Sequence, residues 1–477
     1  MRIVLGICTI YEAWTRLDLL RIYYTDAGPT PRSLTLVGSF RWQSLWSLGG
    51  SYGFALTLLI AHALLGVLLT IGWFTRTVII LLLISLWSLI NRNPTLSHGG
   101  NNLEVWLLIW SIFLPIGGAA SIDARDPRYR WPWRRVANLA TLAMLVQVAF
   151  VYWNALVVKN NVDWRSDFSA IYYFLNSHLG TPLGYALGQA PMLCELLTIT
   201  TLGLELFGPI FALVTFSMPR TRTAIALIFI AFHIGLSATM YVGAFSYICI
   251  AAWLIYIPTP VWDRIWRFKR THANPVEQRR PNLVPQMIAG ALFAYIVIVN
   301  LVGFIPKDIR TKTGPLARLP RIKQSWGVMD VPWRYFQTLV IEVEQSDGTM
   351  HIINADDAPD GSFAKTVPTT HKPSEYWNWP VWWNERCCLV EYRSTLLLGA
   401  LEHKLQWIAA YVDYHRRKWD EAHPSPGQQV KSIKAYVQIH PTKSPTGTPN
   451  TVVKEGRKLL YEWPAPTVGS AIQPAGK

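Results

Sequence analysis

The sequence predicts a polytopic α-helical membrane protein of about nine transmembrane helices, followed by a C-terminal extracytoplasmic α+β domain. Three observations predict it. Of 477 residues, 51% are hydrophobic and only 15% charged, and the mean hydropathy is +0.21. Those values fit a membrane protein carrying a polar appendage better than a soluble multidomain enzyme. The 23 Trp and 20 Tyr are many, and such amphipathic rings favour the membrane interface. Basic residues also gather in alternate connections between apolar runs rather than along the chain as a whole.

Spanning a hydrocarbon core takes about 20 mostly apolar residues. Eight stretches qualify, near 53–74, 77–92, 103–118, 137–158, 191–217, 223–241, 243–258 and 284–304. A ninth, near 3–20, carries charges, but Glu12 and Arg16 stand i,i+4 and can pair on one face. The N-terminus is not read as a cleavable signal, since Glu12, Arg16 and Asp18 interrupt its apolar run and no small-residue cleavage site follows.

The loops give orientation. Arg125, Arg128, Arg130, Arg134 and Arg135 crowd one connection, Arg220 and Arg222 a second, and Arg264, Arg267, Lys269, Arg270, Arg279 and Arg280 a third. Excess Lys and Arg mark cytoplasmic loops. The alternate connections, 93–102, 159–190 and the turn at 242, carry few. Nine spans then put the N-terminus in the cytoplasm and everything after about residue 305 outside. The formal charge of +15 is read as topology control and contact with anionic membrane lipid, not as a nucleic-acid surface.

Residues 306–477 hold no spanning segment and begin with a basic linker, Lys307 to Lys323. Strands at Thr338 to Glu344 and Met350 to Asn354 flank Asp347-Gly348, a strong hairpin signal. A helix follows, roughly Ser394 to Glu421, with Leu398, Leu401, Leu405, Ile408, Tyr411 and Val412 on one side. A strand at Ile433 to Ile439 comes next. The tail after Thr442, rich in Pro, Gly, Ser and Thr, is expected to be partly ordered apart from a strand near Leu459 to Trp463.

The five cysteines form no metal or disulfide framework, and no metal is expected. Cys8, Cys194 and Cys249 read as small core residues. Cys387-Cys388 is either a vicinal disulfide or two buried thiols.

Ionisable groups within a span each call for an explanation. Glu205, fourteen residues into the span that begins at Pro191, should lie roughly 20 Å deep at a 1.5 Å rise. His233 lies at comparable depth in the next span, so adjacent helices can bring the two together, either as a carboxylate orienting an imidazole in a site or as a pair that locks two helices. Lys159 ends the span 137–158 on the outward side and is followed by Asn160, Asn161, Val162, Asp163 and Trp164. It is either a snorkelling interfacial lysine or an amine in a poorly solvated pocket, where the ammonium form is disfavoured and a general base is freed near neutral pH. His98, in the loop Ser97 to Asn102, lies on the same face.

The opening Arg2-Ile3-Val4-Leu5-Gly6, Asp26-Ala27-Gly28 with Pro29 and Pro31-Arg32, His98-Gly99-Gly100 and Phe113-Leu114-Pro115-Ile116-Gly117 form an ordered series. It continues through Asp163-Trp164-Arg165, Thr181-Pro182-Leu183-Gly184 and Gly243-Ala244-Phe245-Ser246-Tyr247. In order and spacing this series resembles the HTTM family, the bacterial kin of the vitamin K-dependent gamma-carboxylase, over most of 1–305 and more loosely beyond. The resemblance implies an HTTM-like transmembrane domain over 1–305. It also implies a carboxylase or related lyase that uses a reduced quinone, oxygen and carbon dioxide to carboxylate glutamate side chains of a peptide or protein substrate on the extracytoplasmic side.

By that resemblance Lys159 deprotonates reduced vitamin K or a related quinol and His98 belongs to the same site. Trp164, Glu205 and His233 complete a cofactor-binding set. A phenolic hydroxyl titrates near 10, so a desolvated neutral amine is a competent acceptor. The sequence departs from the family in two places. No cysteine lies in 21–51, and Val328-Met329-Asp330-Val331-Pro332 stands where relatives show a Met-Phe-Ala-Pro-like turn. The alternative is a non-catalytic membrane subunit or scaffold, with Lys159 solvated or paired to Asp163, the space beside it filled, and membrane-protein partner subunits on its surface. A transporter ranks below both, because no inverted repeat is present.

Overall fold

A computed structural model describes residues 1–36, 43–93, 96–126, 138–177, 179–266, 283–303, 329–332, 334–354, 401–442, 444–446 and 456–464. The linker after Lys307, the pair Cys387-Cys388 and the start of the expected helix at Ser394 lie outside the described residues.

Helix α1 spans Arg2–Leu17, followed by the short α2 (Leu20–Tyr23) and α3 (Arg32–Thr35). Then come α4 (Tyr52–Ile71), α5 (Thr75–Arg92), α6 (Gly99–Ile112) and α7 (Leu139–Val158). Three short helices, α8 (Val162–Arg165), α9 (Ala170–Leu175) and α10 (Pro182–Gly188), lead into α11 (Pro191–Val214) and α12 (Pro219–Thr239). Helices α13 (Phe245–Trp253), α14 (Thr259–Trp266) and α15 (Leu283–Gly303) complete the set before the C-terminal region.

The ends follow local chemistry. The Ser51 and Asn138 side chains accept backbone N–H groups at the starts of α4 and α7. Prolines open α10, α11 and α12, where a missing N–H costs nothing. Gly72 ends α4 in the left-handed region at φ 71. There Arg2 donates from Nη1 to the last carbonyls of α4, Leu69 (2.5 Å) and Thr70 (2.6 Å), and from Nη2 to Ala120.

Among the described residues six helices, α4, α5, α7, α11, α12 and α15, are long and apolar enough to cross a membrane. A seventh span is reached if α13 with its 3-10 extension to Tyr256 is joined to α14 across a 104° bend. Nine spans are therefore not reached among the described residues. α1 has 16 residues and α6 has 14, both short of the roughly 20 that cross a hydrocarbon core. The apolar stretch 103–118 that reads as one span breaks into turns after Ile112. One core links buried residues of α1 and α4 to α7 with those of α11 to α13 and α15, among them Leu82, Trp106, Trp110, Phe229 and Trp253.

The C-terminal region is a four-stranded antiparallel sheet with a helix on one face. Strands β1 (Tyr335–Gln345), β2 (Met350–Asn354), β3 (Val430–Pro441) and β4 (Gly456–Trp463) lie in the order β2-β1-β3-β4. The β1–β2 turn is the expected Asp347-Gly348 hairpin, with Gly348 at φ 88. Helix α16 (Leu401–Ala422) packs Ile408, Val412 and Trp419 on Ile341, Val343, Ile433 and Ala435. These strand residues alternate along β1 and β3, which is the period that puts one face inward. The opposite face carries charge pairs, including Glu344 with Lys431 at 2.6 Å and Lys434 with Glu462 at 3.2 Å.

Candidate functional site: an ion pair on the wall of an apolar cavity

Lys159 is the first residue after α7. Arg165 holds it there, donating from Nε to the Lys159 carbonyl (2.7 Å) and from Nη2 to Leu156 (2.8 Å). The side chain turns inward and is 3% exposed. Its Nζ donates to both oxygens of Glu205, at 2.6 and 2.8 Å, and lies 5.0 Å from the centroid of the Trp164 ring. An ammonium has three N–H donors, so one is left without a protein acceptor among the described residues.

The pair fronts a cavity of about 340 Å³ between α7, α9 to α12 and the residue Met329. Its walls are almost wholly aliphatic or aromatic, among them Val151, Ile171, Leu175, Leu204, Phe232 and Leu236. Tyr152, Ala155 and Lys159 line it at i, i+3 and i+7, one face of α7. Gly235 also lines it, and a Cβ added there would meet nothing within 4 Å.

His233 reaches the same cavity but not Glu205, and the expected carboxylate–imidazole pair is replaced by two separate ones. Glu205 is taken up by Lys159, whose positive charge is the stronger partner for a buried carboxylate. The His233 Nε2 instead lies 2.7 Å from the Tyr152 hydroxyl, which accepts from Trp253 Nε1 at 2.6 Å. Tyr152 and Trp253 escaped the sequence reading. The one available signal was that Tyr152 shares a helical face with Lys159.

His98 stands elsewhere. It caps α6, its Nε2 lies 3.2 Å from Glu12, and it is not among the residues lining the cavity. Gly100 fills the gap between the His98 ring and the backbone of Phe245, where a Cβ would come within 2.8 Å of both. Phe245 itself lines the cavity, so one wall separates His98 from it. The expected Glu12–Arg16 pair forms at 3.1 Å.

The pairing of Lys159 with Asp163 does not occur. Asp163 accepts from Ser169 Oγ at 2.9 Å and from Arg334 Nη2 at 2.6 Å. This bond makes Arg334 hold its proton more firmly than usual. Beside it, Trp164 Nε1 donates to the Met329 carbonyl (3.1 Å) and Asn161 Nδ2 to the Asp330 carbonyl (2.8 Å). Met329, Asp330 and Arg334 thus lie against α8, and Met329 lines that end of the cavity. At another edge Gly184 lets α10 lie on the end of α12, since a Cβ there would come within 1.9 Å of the Thr239 carbonyl.

Fold and site together define a polytopic helical membrane protein with a buried ion pair facing an apolar chamber. The HTTM domain family matches residues 1–262, more than half of the chain. The chain belongs to the HTTM family, the domain family of the vitamin K-dependent carboxylase. No curated protein and no solved structure matches it.

Proposed function

We propose that this integral membrane HTTM protein is a quinol-dependent enzyme that carboxylates glutamate side chains of a peptide or protein on the extracytoplasmic side. The observation that carries this reading is the Lys159–Glu205 pair on the wall of an otherwise apolar cavity. A buried ion pair is a poor way to stabilise a fold, because desolvation offsets most of the attraction. Placed against an apolar chamber, it is suited to a lipid-soluble ligand that carries a hydroxyl.

The residues present fit a flat phenolic ring. The apolar walls and the Trp164 ring would bind its body, and the unpaired third N–H of Lys159 would meet an oxygen. A bound reduced quinone supplies an acidic hydroxyl and, with oxygen, the driving force for carbon dioxide addition. The resemblance implies Lys159 as the proton acceptor. The two-point grip by Glu205 makes the pair the accepting unit, with Glu205 taking the proton while Lys159 Nζ holds its positive charge against the oxygen. The net charge of the buried site then stays constant, which avoids the several kcal/mol cost of an uncompensated charge. His98, behind Phe245, has no direct part in this step.

The test is purification of the full chain in mild detergent, with mass spectrometry for bound quinone and co-purifying proteins. Native protein is expected to retain quinone and Lys159→Ala to lose it. Stoichiometric partner chains without quinone would instead support a non-catalytic subunit. Labelling of a C-terminal tag from the cytoplasmic side would overturn the sidedness.

A further inference from the structure

We infer that the cavity is a two-ended site, with His233 as a second polar anchor that recognises a ring bearing oxygens at opposite corners. The inference rests on the reading of the cavity as a phenol-binding chamber.

Two polar groups stand out among the apolar walls. One is Lys159 with Glu205. The other is His233, 1% exposed, whose Nδ1 has no hydrogen-bond partner among the described residues. Tyr152 Oη accepts from Trp253 Nε1 and pairs with His233 Nε2. In a neutral imidazole the two ring nitrogens take opposite roles, so Nδ1 offers either a hydrogen or a lone pair, and a ligand hydroxyl can answer either. A buried polar nitrogen without a partner is costly, and its presence on a cavity wall is explained if a ligand completes it.

The spacing of the two ends suits one ring. Tyr152, which holds His233, lies in α7 seven residues before Lys159, the residue just past its end, about 10 Å at the rise of a helix. A six-membered ring with oxygens at opposite corners, lengthened by one hydrogen bond at each end, has a comparable span. Packing fixes the anchor as well as Tyr152 does: the His233 ring meets Phe232 and Phe245 edge-on, with centroids at 5.2 and 5.8 Å.

The test compares 1-naphthol with 1,4-dihydroxynaphthalene, which share a ring system and differ by one hydroxyl. Binding to the full chain in detergent is measured anaerobically by calorimetry. The diol is expected to bind about five- to tenfold more tightly, the worth of one buried hydrogen bond. His233→Phe should erase that preference, while His233→Gln keeps part of it. If His233→Phe does not fold, Tyr152→Phe takes its place, and the preference should fall about twofold or more as the imidazole loses its fixed orientation. Equal wild-type affinity for the two ligands, or a preference undiminished in His233→Phe (in Tyr152→Phe where His233→Phe does not fold), overturns the inference and leaves the phenol-binding reading standing. Wild-type protein that binds neither ligand, or Lys159→Met that binds both as well as wild type, overturns that reading too.

Discussion

Glu12 and Glu205 are both carboxylates buried between apolar helices, each held by a cation with a histidine nearby, yet they differ in what surrounds them. Glu12 is saturated from within the protein. Its Oε1 accepts from Asn101 Nδ2 at 2.6 Å and faces His98 at 3.2 Å, and its Oε2 accepts from Arg16 at 3.1 Å. Arg16 in turn donates to the Tyr24 hydroxyl at 3.0 Å. Among the described residues Glu205 is held by Lys159 alone, and the pair fronts the cavity. A buried ion pair therefore marks a binding site only where packing leaves one of its donors facing a cavity. The Glu12 cluster ties α1 to α6, while the Glu205 pair has capacity left for a ligand.

The sharpest way to break this contrast is to remove one carboxylate at a time. Glu12→Gln strands Arg16 in a packed interior and should cost about 3–5 kcal/mol. Glu205→Gln should cost about 1–2 kcal/mol, because water can enter the cavity beside Lys159. Denaturant unfolding in detergent checks the order, and a reversed order would put the functional chamber at the wrong cluster.

Glycines give the next test. At Gly6 a Cβ would come within 2.2 Å of Thr70 Oγ1 and 2.6 Å of the Gly66 carbonyl, so Gly6→Ala should destabilise by about 1–3 kcal/mol. Gly235→Ala faces empty cavity and should stabilise by up to about 1 kcal/mol through helix propensity. Thermal unfolding of the two variants separates packed region from open one. A smaller effect is expected from the double variant Lys159→Met with Glu205→Leu, which should regain about 1 kcal/mol over Glu205→Gln while failing to bind 1-naphthol.

The smallest effect lies in the loop that leads from α2 to α3. Partial burial alone would raise the Asp26 carboxyl, but the bonds from Arg32 outweigh it and hold Asp26 below the ordinary carboxylate range. A depressed carboxyl stabilises the fold above its unfolded value and loses that contribution as pH falls through the folded one. Acid should therefore loosen the loop in the wild type and leave Asp26→Asn unaffected, as hydrogen exchange of residues 24–36 would report.

Much of the architecture was legible from the chain because its signals are local. Apolar length marks α4, α5, α7, α11, α12 and α15, Asp347-Gly348 marks its hairpin, and alternation marks the sheet that carries α16. The expected nine spans are not reached among the described residues, in part because hydropathy registers the apolar run 103–118 but not the turns that follow Ile112. The sequence also pointed to Lys159, Trp164, Glu205 and His233, all of which line one cavity. Their partners were not readable. The sequence puts Glu205 and His233 at comparable depths on neighbouring helices, and nothing local records that Glu205 pairs with Lys159 and His233 with Tyr152, seven residues earlier.

The sequence by itself determined the family, the long membrane-compatible helices and the presence of buried charge at Lys159 and Glu205, since composition, period and motif order are properties of contiguous residues. Tertiary structure alone decided that Glu205 grips Lys159, that His233 turns to Tyr152, that Asp163 reaches 171 residues along the chain to Arg334, and that His98 stays behind Phe245. Those pairings depend on how helices rotate and cross, and helix rotation is set by the packing of the whole core rather than by any segment within it.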